Sequence, residues 1–164
     1  AEKVFIGGEL VAENRKYLPE IIPQDISKVR GSVRVKDFSA ECLKMNLKSN
    51  KVNIIGILPG GVVTKKLTAD VDLTPDGDFI FNSTKDICKV AVIERHHETG
   101  KIGLGFLCGY GIKAGAVAIS VAHDSHNIIV AGTSNEEMAF AVEKLIEMEG
   151  GMIVVKDKKI IISA

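Results

Sequence analysis

The second half of the chain is a succession of short β-branched runs. They are "CKVAVIER" (Cys88 to Arg95), "VAISVA" (Val117 to Ala122), "IIVAG" (Ile128 to Gly132), "MIVV" (Met152 to Val155) and "KIIIS" (Lys159 to Ser163). Each has strand length, and several are apolar almost throughout instead of alternating. Successive side chains of a strand point to opposite sides, so a continuously apolar strand belongs in a sheet covered on both faces. The expected fold is α/β in the α+β sense: layered, mixed β-sheets with few helices.

One helix stands out among these runs. Ser134-Asn135-Glu136-Glu137 has the form of a capping box, with Ser at the cap and Glu three residues later. Met138, Ala141, Val142, Leu145 and Met148 follow at helical spacing, and Gly150-Gly151 supplies a C-terminal stop. The stretch from Ile128 to Val155 therefore reads as strand, helix, strand, with a right-handed crossover expected.

The first half is more broken. Lys3 to Ile6 and Glu9 to Ala12 read as a hairpin around Gly7-Gly8, a pair suited to a two-residue turn. So short a hairpin cannot bury a sheet face alone. Residues 19–30 include Pro19 and Pro23 and read as a linker. "GSVRVKDF" opens a new unit, and Phe38 to Leu47 has the spacing of a short helix. "KVNIIGILPGGVVTKKLTADVDL" holds two β-rich runs broken at Pro59-Gly60-Gly61, and "TPDGD" (Thr74 to Asp78) is a strong turn signal.

Composition bounds the partners. Lys and Arg total 21, as do Asp and Glu, so a neutral chain gives no general case for nucleic acid or an anionic membrane. Cys42, Cys88 and Cys108 are odd in number and dispersed, which fits free thiols in a reducing, cytoplasmic compartment. Neither a signal peptide nor an apolar run long enough to span a membrane is read.

The chemistry-bearing residues are concentrated. All four histidines lie in two clusters, "ERHHE" (Glu94 to Glu98) and "HDSHN" (His123 to Asn127), each after an apolar run. His123 and His126 would face opposite sides of a regular strand, so "HDSHN" is expected as a loop. Both clusters then sit at strand ends, where α/β folds place ligands. Glu94, the four imidazoles, Asp124 and Asn127 form a dense supply of proton carriers and polar contacts, and Arg95 could pair with a carboxylate among them. Other motifs fail. Gly103 and Gly105 start a G-x-G-x-x-G, but Cys108 stands at its third position. His96-His97-Glu98 satisfies H-x-E, while the P-C-x-x-C half of the zinc nucleoside-deaminase signature is missing.

At these residues the sequence resembles a known family. "ERHH", the glycine run "GLGFLCGYGIKAG", "VAHDSHNIIV" and "GGMIVV", within roughly Ile87 to Val155, resemble the C-terminal domain of bacterial and archaeal-type adenine deaminases, in the amidohydrolase superfamily. "VNIIGILPGGVVTKK" is a weaker match upstream. "KVFIGGELVAENRK" is similar to the last strands of the small β-domain that flanks an amidohydrolase barrel.

The resemblance implies three segments. Residues 1–18 are a hairpin from that β-domain, 19–30 a linker, and 31–164 the adenine deaminase C-terminal domain. It also implies hydrolysis of adenine to hypoxanthine and ammonia, in adenine catabolism and purine salvage. The dinuclear Mn or Fe centre would be held by a (β/α)8 barrel outside these residues, with no metal expected on this chain alone. The expected partners are adenine, that barrel and further copies of the enzyme, not nucleic acid or membrane. His123, His126 and Glu94 are the candidates for assisting catalysis, and His96, His97, Asp124 and Asn127 for contacting substrate. Alone, the chain is expected to be inactive. The competing readings are a purely structural or dimerisation module and an independent metal-binding enzyme built on the two His clusters.

Overall fold

The apolar runs of the second half assemble into one sheet. In the computed structural model, which describes residues 1–164, the chain divides into two compact units, Ala1–Arg30 and Gly31–Ala164. In the first unit β1 (Lys3–Ile6), β2 (Glu9–Glu13) and β3 (Lys16–Tyr17) form a small antiparallel sheet. Gly7 and Gly8 both take positive φ (58° and 88°) in the β1–β2 turn, the conformation that made glycine the suitable residue there. A third strand joins the expected hairpin because Asn14 and Arg15 also turn through positive φ.

The second unit contains β4 (Lys51–Ile57), β5 (Thr64–Asp70), β6 (Asp72–Leu73), β7 (Phe79–Ile80), β8 (Ile87–Ile93), β9 (Ile102–Cys108), β10 (Ala116–Ile119), β11 (Ile128–Gly132), α1 (Asn135–Glu147), β12 (Met152–Lys156) and β13 (Lys159–Ser163). Its main sheet has eight strands in the order β13-β12-β10-β11-β8-β9-β4-β5, and β6 pairs with β7 beside it. Every ladder in the main sheet is antiparallel except β4 with β9. The fold is α+β, with mixed sheets, a single α-helix and no closed barrel.

The strand–helix–strand segment is present but split. β11 and β12 each pair antiparallel with β10, on its two sides. They therefore run parallel to each other, and α1 crosses over the strand between them. Helix α1 packs on β10, β11 and β12, burying Met138, Ala141, Val142 and Leu145 against Ala116, Ala118, Val130, Ile153 and Val155. Ser134 caps the helix by accepting the Glu137 N–H at 3.2 Å. The reciprocal half of the box is replaced: the Glu137 carboxylate accepts the Lys158 N–H at 3.0 Å, tying the helix start to the β12–β13 turn. At the other end the left-handed residue is Glu149 (φ 62°), one before the glycine pair. The Gly150 N–H then reaches the Leu145 carbonyl and the Glu149 N–H that of Ile146, closing a Schellman motif.

The helix expected over Phe38–Leu47 is not formed; only Ala40–Leu43 makes a 3-10 turn. The competing period is two. Leu43 and Met45 are buried and Leu47 half-buried, with Lys44 and Asn46 exposed between them, so the segment runs extended across the core. Its backbone is satisfied by the Thr74–Asp78 turn: Met45 N–H donates to Asp78 and Leu47 N–H to the Gly77 carbonyl. That approach requires glycine at 77. A Cβ there would lie 2.6 Å from the Leu47 carbonyl oxygen, and φ is +87°.

The "TPDGD" turn delivers Asp78 into the interior. Lys89, in the middle of β8 and only 2% exposed, donates to Asp78 Oδ1 at 2.8 Å, Asn135 Oδ1 at 2.6 Å and the Leu43 carbonyl at 2.9 Å. Asn135 Nδ2 donates in turn to Asp78 Oδ2 at 2.7 Å. Burial pushes the Lys89 ammonium below its usual pKa. Burial alone would raise Asp78, but donation from Lys89 and from the Met45 and Phe79 N–H groups outweighs it and holds that carboxyl below its ordinary value. Removing one partner of a buried pair strands the other, at a cost of about 3–5 kcal/mol. Lys89→Met should therefore destabilise the chain by about that amount in urea unfolding. Adding Asp78→Asn should recover on the order of 1 kcal/mol or more, as coupled partners do. Additive losses would show that the pair is not coupled.

Candidate functional site

β8 and β11 are adjacent antiparallel strands, with Ile93 opposite Ile128. The loop after β8 (residues 94–101) and the loop before β11 (residues 120–127) therefore leave the same end of the sheet side by side. This register brings together two segments that lie about thirty positions apart in sequence. "HDSHN" is the loop that its polarity demanded, between β10 and β11.

The two loops are bonded to each other through side chain to backbone contacts. Arg95 Nε donates to the His126 carbonyl at 2.6 Å, and a second Arg95 nitrogen reaches the Ser32 carbonyl at 3.3 Å. Arg95 thus clamps backbone and does not pair with a carboxylate. His96 Nε2 lies 2.9 Å from the Ser125 carbonyl, so it acts as the donor there.

Glu94 organises its own loop. Its Oε1 accepts the N–H groups of His96 and His97, and its Oε2 accepts the N–H and hydroxyl of Thr99. Donation from Thr99 above all, with that from His96 and His97, lowers its pKa to about 2 against the opposing effect of desolvation. Glu94 is therefore a carboxylate throughout the neutral range, with both oxygens occupied.

The second loop presents its side chains outward. His123 and Asp124 are almost fully exposed, with 97% and 98% of their side chains accessible, and His123 Nδ1 lies 3.2 Å from Asp124 Oδ1. The His123 and His126 rings are 6.4 Å apart, and those of His96 and His97 are 6.2 Å apart. Asp124 and His126 both sit at positive φ (70° and 50°), a conformation uncommon outside glycine. The backbone of the loop is pinned by the His126 N–H to the Ala122 carbonyl at 2.7 Å. Asn127 differs from its neighbours: it is half-buried, and its Oδ1 is enclosed without a donor. Of the seven candidates, His96 and Glu94 are committed to holding loops. His97, His123, Asp124 and His126 are exposed.

No group of three His, Cys, Asp or Glu side chains converges as a metal site. The oxygens of Glu94 are taken up by hydrogen bonds, so the donor set here does not fit a dinuclear metal centre. The three cysteines are free thiols, and burial raises the Cys88 pKa to about 12. No helix is long and apolar enough to cross a membrane.

The Lys89–Asp78–Asn135 network was not singled out in the sequence, although a signal existed. A lysine inside "CKVAVI" must find a buried partner or break the strand. The network floors a cleft of about 350 Å³ lined also by Phe79, Phe81, Ser134 and Glu136. All three Lys89 protons are already donated within the protein, so the cleft offers no free cation.

The chain is similar in sequence to known proteins. The adenine deaminase C-terminal domain family matches residues 61–164. An adenine deaminase 2 of Desulfotalea psychrophila is 48% identical over 160 residues, covering 98% of this chain and 28% of that protein. An adenine deaminase of Ligilactobacillus salivarius is 46% identical over 160 residues, with the same coverage of each. An adenine deaminase 2 of Carboxydothermus hydrogenoformans is 46% identical over 159 residues, covering 96% of this chain and 28% of that protein. The chain spans little more than a quarter of the length of these relatives, and it belongs to the adenine deaminase C-terminal domain family.

Proposed function

We propose that this chain is the C-terminal domain of an enzyme that hydrolyses adenine to hypoxanthine and ammonia, and that its two polar loops face the purine site. The observation that carries this reading is the pairing of residues 94–101 with residues 120–127 at one sheet end. Backbone carbonyls take up the loop-holding donors there, while the imidazoles of His123 and His126 remain free to act. The relatives' name supplies the substrate. Free thiols and the same name support cytoplasmic purine salvage, and the N-terminal unit fits a piece of a β-domain flanking a barrel.

In the reaction the C6–N bond of adenine is replaced by a C6–O bond to water, and the exocyclic nitrogen leaves as ammonia. The leaving nitrogen must gain a proton, and imidazole is the side chain whose ordinary pKa suits that transfer near neutrality. His123 and His126 are assigned to that proton movement or to the purine edge. His97, Asp124 and Asn127 are assigned to contacts with the base, Asn127 by its exposed part, since its Oδ1 is enclosed within the protein. Glu94 and His96 keep their loops in place. A Mn or Fe centre belongs in the rest of the longer polypeptide, since the residues here do not fit one. Closing this sheet end over the site would exclude water. Alone, the chain does not turn over adenine.

Two outcomes test the assignment. In the full-length enzyme, His123→Ala should lower kcat/KM by more than about tenfold, roughly 1.4 kcal/mol, without loss of folding stability; unchanged kinetics would remove the role. Glu94 ordinarily titrates at 4.5 and here at about 2. Its contribution to loop order is thus complete above the ordinary value and is lost as the pH falls through the lower one. The amide resonances of His96, His97 and Thr99 should follow a midpoint near 2; a midpoint near 4.5 would show that the Glu94 bonds are not made in solution.

A further inference from the structure

We infer that the β13-β12-β10 part of the main-sheet face turned away from α1 is the surface on which the rest of the longer polypeptide docks. This rests on the reading that the chain is one domain of a larger enzyme. An antiparallel sheet with one free face alternates apolar and polar residues, so that the free face is polar. Here it does not. Along the ladders, Ile162, Val154 and Val117 fall in one row, and Met152, Ile119 and Ile129 in the next, on the side opposite Ala116, Ala118 and Val130, which α1 covers. All six are apolar and none is buried; Ile162 is 62% and Met152 50% exposed. The strands are thus built for a sheet covered on both sides; on this face Phe81, Leu107 and Ile112 pack over Cys88, Val90 and Ala131, and the rows of β13, β12 and β10 are left uncovered.

The two edges of the sheet differ in the same sense. β5, at one edge, carries Lys65 and Lys66, which discourage pairing with another chain. β13, at the other, carries Ile160, Ile161 and Ile162, all exposed, with Ile161 the extra residue of a bulge. The Met152–Ala164 bonds mark a hydrogen-bonded pair, so by alternation the N–H of Ser163 points away from β12 along the open edge. A contiguous apolar patch of this kind marks an interaction surface.

Two facts choose the occupant. The relatives are more than three times the length of this chain, so most of their polypeptide is available to cover the face. The face also runs into the proposed site: Met152 and Ile119 stand at the sheet end from which residues 120–127 emerge, and Val121, 58% exposed, continues the patch into that loop. A body seated on this face is brought against His123 and His126.

Oxidation of Met152 by hydrogen peroxide, followed by peptide mass spectrometry, reads the cover directly. It is measured in the full-length protein, in this chain alone, and in the full-length protein carrying Ile162→Asp, each at two concentrations. Ammonia release from adenine is assayed on the same full-length preparation and reads the functional assignment separately. Oxidation about tenfold or more slower in the full-length protein than in the chain, and restored by Ile162→Asp, is the expected result. Equal rates in the two proteins would overturn the inference even if adenine is deaminated. So would protection in the isolated chain that grows with concentration, which assigns the face to a second copy. Slow oxidation in a full-length protein inactive on adenine would keep the docking face and discard the substrate.

Discussion

The buried Lys89 ammonium is the interaction on which the second unit turns. It joins four segments: β8, the carboxylate delivered by the Thr74–Asp78 turn, the first residue of α1, and the carbonyl that ends the 3-10 turn at Leu43. A charge in this position is expensive unless every proton is donated. The network therefore fixes where α1 begins and how the extended 43–47 segment crosses the core. Apolar packing could not set these positions as sharply, because it is non-directional. β8, fixed in this way at Lys89, ends four residues later at Ile93, and Glu94 begins the first polar loop. The stability of the interior and the placement of the candidate site thus share one strand.

At that sheet end, holding and presenting are separate tasks. Glu94, Arg95 and His96 spend their polar atoms on holding the loops, with the carboxylate gathering N–H groups and the Arg95 and His96 nitrogens donating to carbonyls. His123, Asp124 and His126 make few commitments and are exposed. A loop whose backbone is pinned while its imidazoles are free is pre-organised for a ligand brought from outside, because little order remains to be imposed on binding. The same division argues against a self-sufficient centre, since the groups best placed to be fixed are already occupied.

Much of this was legible in the residues. The five β-branched runs became β8, β10, β11, β12 and β13, and Ser134 capped α1 because its oxygen is the short acceptor that the first turn lacks. "HDSHN" was legible as a loop, since no regular strand or core could hold that polarity. Three features were not. Phe38–Leu47 showed leucines at helical spacing, but the same residues also satisfy a period of two, and the core chose the extended path. The crossover from β11 to β12 could not reveal that β10 inserts between them, because strand order depends on long-range pairing. The partners of Lys89 lie 11 and 46 positions away, and nothing local announces them. The continuous apolarity of β10 and β12 was readable as a doubly covered sheet; their uncovered side is where that expectation points beyond these residues.

The central claim is a division of labour between this domain and a site held largely elsewhere. Ammonia release from adenine, measured with added Mn²⁺ for this chain alone and for the full-length polypeptide, tests it most directly. The account predicts turnover by the full-length protein and none above the protein-free rate by the chain. Turnover by the chain alone would mean that the two histidine loops form a complete centre, and the division drawn here would be wrong.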